Sequence, residues 1–259
     1  MAQTNDKKKL ITHFRKDPVL FAYHIGDLDD FFFPLCQWPA RTNDNDEIEE
    51  AILIYNNPLF VTVMAFGLTE SYEPFLQREF EHFPKTFFCH FQDKYRDIFK
   101  SKYNEEPFGK HLKMKLGKFT KQHDDNDKNI IRLSMNHLDM IEEFYSRAYP
   151  DGYFDPRMLK TNKYFGYIEN EILQSVAGLH VYSDEYKIAV LGSIATHPDY
   201  RGRGLATKVT SKLARELSAE NKLVCLNVKA DNIHAVKCYG KIGFDIVHEY
   251  EEARFSKRT

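Results

Sequence analysis

The chain has 259 residues, 42% hydrophobic and 14% aromatic, enough to bury an ordinary core and to form one large or two modest domains. A formal charge of -2 offers no broad positive field for a phosphate backbone or an anionic lipid surface, so neither nucleic acid nor membrane is expected as a partner. The sequence has no run of about 18 apolar residues, no secretory leader pattern at its start, and neither a CxxC pair nor zinc-ligand spacing around Cys36, Cys89, Cys225 and Cys238, so a soluble cytoplasmic protein with reduced thiols and no metal is expected.

Residues 41–50 are polar and read as a loop ahead of an apolar strand. Residues 51–55 and 59–66 are short runs rich in Ile, Val and Phe, and the turn signal Asn56-Asn57-Pro58 between them predicts a hairpin. Tyr72, Phe75, Leu76, Phe80 and Phe83 recur at helical spacing, residues 86–91 follow as a buried strand, and 95–103 read as helix again. The stretch 121–129 consists of charged, amide and His side chains, which are poor material for a packed element, and it is the expected linker. The expected division is therefore an N-terminal α/β domain at 1–125 and a second domain at 126–259.

Beyond the linker the pattern predicts a strand at 130–133 and a helix at 137–149 with Leu138, Ile141, Phe144 and Tyr145 on one face. A helical turn at 155–159 and three strands follow, at 164–168, 173–182 and 186–196, with connections short enough to be antiparallel. Leu205, Val209, Leu213 and Leu217 stand four apart on an amphipathic helix over 205–219. A strand at 223–228, a short helix at 233–242 and a last strand at 244–250 complete a mixed α/β (α+β) order.

Between Ile194 and Thr207 a strand runs through a proline turn into Gly202 and Gly204 and on into that helix. Unpaired N–H groups and the positive end of a dipole meet at a helix N-terminus, and glycines let successive amides point into one concavity, so this geometry binds phosphate. The segment lacks both the GxxxxGK[ST] of a nucleotide loop and the GxGxxG of a dinucleotide fingerprint, so a different pyrophosphate is expected.

Arg201-x-x-Gly204-x-Ala206 resembles the [RQ]-x-x-G-x-[GA] signature of the GNAT superfamily of N-acetyltransferases. Twenty-six residues beyond Ala206, the segment from Asn232 to Phe244 is similar to that superfamily's N-x-x-A-x-x-x-Y-x-x-x-G-F and matches it at all five defined positions. A plainer reading, an Asn cap, a core-facing Tyr and a Gly C-cap, is compatible with it. The resemblance implies a GNAT fold with a mixed, splayed sheet in the C-terminal half. It also implies acetyl-CoA, or another acyl-CoA, as co-substrate for acyl transfer to the primary amine of a small molecule or peptide.

On the same basis the amides of Gly202, Arg203, Gly204, Leu205, Ala206 and Thr207, with Arg201, would grip the pyrophosphate. The backbone of Ile194, Ala195 and Thr196 would hydrogen-bond the pantetheine arm, and Gly192 would site the bulge that opens the strand edge. Asn232 would order a helix start beside the coenzyme, and Tyr239 would protonate the departing sulfur. Relatives often carry a carboxylate on the strand before the phosphate loop, but residues 188–193 contain no Asp, Glu or His, which leaves water, His180, Glu185 or His197 as routes for the amine proton. Phe144, Tyr145, Tyr149, Tyr153 and Phe154 fall where relatives close over the acceptor. The missing carboxylate also keeps open a second reading, a non-catalytic acyl-CoA sensor or interaction module. In the N-terminal half, the order of hairpin, helix and strand suggests a degenerate copy of the same fold, as in tandem members resembling glycine N-acyltransferase.

Overall fold

The computed structural model describes residues 3–119, 127–150, 152–220 and 222–258, so most of the expected linker and the boundary at 125/126 lie outside the described residues. The chain forms two compact units, one from Met1–Lys113, Lys229–Asp231 and Val247–Thr259, the other from Met114–Val228 and Asn232–Ile246.

The first unit starts with two short helices, α1 (Lys7–Phe14) and α2 (Ala22–Gly26), followed by strands β1 (Cys36–Gln37), β2 (Ala40–Thr42), β3 (Ile48–Ala51), β4 (Leu53–Asn56) and β5 (Val61–Ala65). Helix α3 (Tyr72–Glu79), strand β6 (Thr86–Phe91), helix α4 (Arg96–Lys100) and the long strand β7 (Tyr103–Leu116) follow. Residues 41–50, expected as a loop, instead form most of the β2–β3 ribbon. Its turn is built locally, by the Asn43 carboxamide oxygen accepting from the amides of Asn45 and Glu47, so a polar composition here marks a ribbon rather than an unstructured span.

The second unit contains β8 (Ile130–Leu133), α5 (Leu138–Ala148), β9 (Tyr164–Glu169), β10 (Ile172–Ser183), β11 (Ile188–Thr196), α6 (Leu205–Ala219), β12 (Leu223–Lys229), α7 (Ile233–Ile242) and the start of β13 (Phe244–Lys257). From Val247 onward β13 belongs to the first unit, where Glu251 to Ser256 pair antiparallel with Phe91 to Thr86.

The two units share a connection pattern. In the first, β4 and β5 are antiparallel and β5 passes through α3 to the parallel strand β6. In the second, β10 and β11 are antiparallel and β11 passes through α6 to the parallel strand β12. Each crossover helix buries one face. On α3 Tyr72, Phe75 and Leu76 pack into an aromatic core with Phe87, Phe91, Phe99 and Phe255, in which Phe99 and Phe255 stack with centroids 4.8 Å apart. On α6 Leu205, Val209, Leu213 and Leu217 are buried, the stripe that the four-residue spacing predicts.

The outer side of α6 is tied to the far edge of its sheet by charge. Glu216 accepts two hydrogen bonds from the Arg132 guanidinium on β8, at 2.9 and 2.6 Å, and one from Lys163 at 2.7 Å. Burial alone would raise the Glu216 carboxyl, but these donors outweigh it and hold the group at about 2. A carboxyl depressed below its unfolded value of about 4.3 adds stability that is complete above that pH and lost as pH falls toward 2. Glu216→Gln should therefore lower the thermal midpoint at pH 7, and the gap between variant and parent should shrink in melting curves recorded from pH 5 down to pH 2.5.

Candidate functional site

The first half of β11, Ile188 to Leu191, is wholly buried and pairs on both sides, antiparallel with β10 and parallel with Leu223 to Leu226 of β12. Pairing with β12 ends at Leu191 and Leu226, while pairing with β10 continues to Thr196. The sheet is thus splayed from Gly192 onward.

Two register shifts mark the splay. Between the pairs Leu179–Leu191 and Val181–Val190, β10 carries one extra residue, His180; between Val176–Ala195 and Gly178–Gly192, β11 carries an extra residue, and Ser193 there is left-handed at φ 52°. The bulge expected at Gly192 therefore centres on its neighbour. Gly192 serves another need: a Cβ there would lie 1.8 Å from the His180 ring, which fills that space. His180 Nε2 accepts from the Ser193 amide at 3.1 Å. The Tyr145 hydroxyl donates to the Ser193 carbonyl at 2.5 Å, and the Ser193 hydroxyl donates to the Tyr153 carbonyl at 3.3 Å. A left-handed non-glycine residue costs about 1–2 kcal/mol, and these three bonds hold it there.

Past Thr196 the chain turns through His197, whose amide donates to the Gln174 carbonyl at 2.9 Å, and through a 3-10 turn at Pro198–Tyr200. Arg201 Nε donates back to the Thr196 carbonyl at 3.2 Å, and the Arg203 guanidinium lies 5.2 Å from the centre of the Tyr200 ring. Gly202 and Gly204 have φ of +79° and +76°, and a Cβ at either would meet nothing within 4 Å. Their left-handed conformation favours glycine, and the space above them is open. Gly204 is the N-cap of α6 and provides no side-chain cap, so the first amides of this 15-residue helix, including those of Leu205, Ala206 and Thr207, are left for another acceptor.

Helix α7 joins this assembly through its flank, where Thr207 Oγ1 lies 3.1 Å from Cys238 Sγ. Its start is fixed by Asn232 Oδ1, which accepts from the Ala235 amide at 3.1 Å. Its end is fixed by Gly243, at φ +120°, where a Cβ would come within 2.2 Å of the Lys118 carbonyl. Between these ends the Tyr239 ring is buried, 8% exposed, and forms a T-shaped pair with Phe244. Burial pushes its phenol above the ordinary tyrosine range, with Cys238 and the exposed Tyr149 adding to the effect, so Tyr239 keeps its proton at neutral pH.

Of the other residues singled out from sequence, Phe144 and Tyr145 are buried and Tyr149 is exposed. Tyr145 packs 5.0 Å from Phe154 and supports Ser193, so these two aromatics brace the bulge. Glu185 lies in the β10–β11 turn, at the opposite end of a strand about 26 Å long from the glycine loop. His197 Nδ1 accepts from the Asp199 amide at 3.4 Å. Sequence reasoning passed over Asn227, whose buried Nδ2 has no hydrogen-bond partner among the described residues. An asparagine inside the apolar run Leu-Val-Cys-Leu-Asn-Val, against strand preference, is a signal that could have drawn attention to it. Also among the described residues, no group of three or more His, Cys, Asp or Glu is arranged to hold a metal ion, and no helix is long and apolar enough to cross a membrane.

Residues 134–244 match the model of a family described as the acetyltransferase (GNAT) family. A comparison with curated proteins gives no match. Among solved structures the chain is similar to a Drosophila protein, with 14% identity and a TM-score of 0.76 over 98% of this chain and 97% of that one. It is also similar to a GCN5-related N-acetyltransferase from Sphaerobacter thermophilus, with 13% identity and a TM-score of 0.61 over 97% and 91% of the two chains. A GNAT-family acetyltransferase from Colwellia psychrerythraea aligns over 99% of both chains at 14% identity and a TM-score of 0.58. At these identities the likeness is one of fold.

The bulge clamp predicts a coupled pair of substitutions. Gly192→Ala should destabilise the protein by about 1–3 kcal/mol, because the new methyl displaces the His180 ring and breaks its bond to Ser193. In a His180→Ala background the same change should cost markedly less, a non-additivity that a urea-unfolding double-mutant cycle would measure.

Proposed function

We propose, on the match of residues 134–244 to the acetyltransferase (GNAT) family, that this protein is an acyl-CoA-dependent N-acyltransferase that moves an acetyl or short acyl group from its coenzyme to a primary amine. The observation that carries the reading is the run from the splayed edge of β11 into the two left-handed glycines and the uncapped start of α6. Such a run offers strand backbone to an amide-containing arm and converging N–H groups to a diphosphate. Arg201, Gly202, Arg203, Gly204, Leu205, Ala206 and Thr207 hold the diphosphate, Ile194, Ala195 and Thr196 run beside the arm, and Asn232 fixes the start of α7. The second unit is then the catalytic domain.

In this reading a neutral amine attacks the thioester directly, and Tyr239, protonated and largely withdrawn from water, donates its proton to the departing sulfur. The acceptor is a small-molecule or peptide amine, and the setting is cytoplasmic. The shared order of hairpin, crossover helix and parallel strand supports reading the first unit as a degenerate copy of the same fold, as in tandem members resembling glycine N-acyltransferase. The absence of Asp, Glu and His from residues 188–193, together with the engagement of His180 by Ser193, favours one alternative, a coenzyme-binding sensor that acylates no amine.

Calorimetric titration with acetyl-CoA should give saturable binding to the parent protein and at least tenfold weaker binding to Gly204→Glu, whose side chain sets a negative charge against the phosphates and forces a left-handed φ on a non-glycine residue. Normal binding by that variant would overturn the site. Thiol release with a panel of amines should be about a hundredfold slower in Tyr239→Phe with coenzyme affinity unchanged. No release from the parent protein with any amine would leave the sensor reading in its place.

A further inference from the structure

We propose that Asn227 is a catalytic residue of this acyl transfer, its carboxamide donating a hydrogen bond to the carbonyl oxygen of the bound thioester. The inference rests on the reading of the glycine loop as an acyl-CoA site. Asn227 is the first residue of β12 beyond the last pair with β11, and continuing the register would set it opposite Gly192. It therefore stands at the apex of the splay. Side chains alternate along a strand, so Asn227 shares the face of Cys225, Val190 and Gly192, the face on which the His180 ring covers Gly192.

Its Nδ2 is buried with no hydrogen-bond partner among the described residues. A buried donor without an acceptor destabilises the folded chain, and a ligand that brings an acceptor removes that cost. The nearby backbone donor is already committed, since the Ser193 amide serves His180, and the remaining polar groups of Ser193 are engaged by Tyr145 and Tyr153. The carboxamide is thus an unspent donor at the point where an arm running along β11 from the glycine loop would end.

The chemistry calls for such a donor. The amine nitrogen bonds to the carbonyl carbon, the C–S bond breaks with its electron pair leaving on sulfur, the new amide gives up one proton and the thiolate takes up one. Negative charge passes through the carbonyl oxygen on the way, where a donor already in place lowers the barrier.

The test compares acetyl-CoA with its thioether analogue S-ethyl-CoA, which lacks the carbonyl oxygen, by calorimetry on the parent protein, Asn227→Ala and Asn227→Leu. The parent should prefer acetyl-CoA by about fivefold, the worth of one hydrogen bond. Both variants should bind the two compounds alike, with unchanged affinity for S-ethyl-CoA. The melting temperature of ligand-free Asn227→Leu should be equal to or above that of the parent, because an unmet donor has been removed. The same preference in parent and variants would overturn the proposal, as would a clear loss of stability in both variants, which would mark Asn227 as a structural residue. Failure of the parent to bind either compound would instead bring down the glycine-loop reading and this proposal with it, so the two failures are distinguishable.

Discussion

The geometry of the second unit depends on one strained residue. Ser193 occupies the left-handed region without being glycine, and it is held there by the His180 ring nitrogen, the Tyr145 hydroxyl and its own hydroxyl bond to Tyr153. Because of that conformation β11 has an extra residue relative to β10, turns away from β12 after Leu191, and exposes a backbone edge. A regular strand would have continued the parallel pairing and closed the gap. Helix α5 takes part because it positions Tyr145, and β10 because its own extra residue is His180.

Around that opening, the remaining parts are positioned by ordinary means. Leu205 at the first turn of α6 is buried, which orients the helix start without using any of its amides. Glu216, three turns further on, fixes the other end of the helix to Arg132 and Lys163 at the sheet edge. Helix α7 is delimited by Asn232 and Gly243 and touches α6 through Thr207 and Cys238, so the tyrosine between its ends has little freedom to shift. Stability is thus concentrated around the loop, while the space a side chain would occupy at either loop glycine is open.

The sequence makes the local features legible and the relational ones obscure. The glycine loop could be read because left-handed backbone at Gly202 and Gly204 is a demand that each residue expresses by itself, and α6 because its Leu and Val positions repeat at the helical period. The caps of α7 are equally local. The clamp could not be read, since it joins His180 to Ser193 across a strand pair and sets Gly192 against a ring twelve residues earlier in the chain, a relation of register rather than of pattern. Strand β7 is not legible in the sequence because its first half is largely solvated and its side chains do not alternate cleanly, and β13 reads as ending at Tyr250 because its continuation is rich in charge. In β13 tertiary pairing decides the conformation against composition, as it does in the polar ribbon of β2 and β3.

The loop glycines have one further consequence. Because a Cβ at Gly202 or Gly204 would collide with nothing, these positions select for handedness of the backbone and are indifferent to crowding. Asparagine, the other residue that visits this region at modest cost, would satisfy the same demand for about 1 kcal/mol. Homologous loops spelled with Asn in place of one glycine can therefore be expected to adopt the same turn, and a search for this architecture by glycine spacing alone would pass them by.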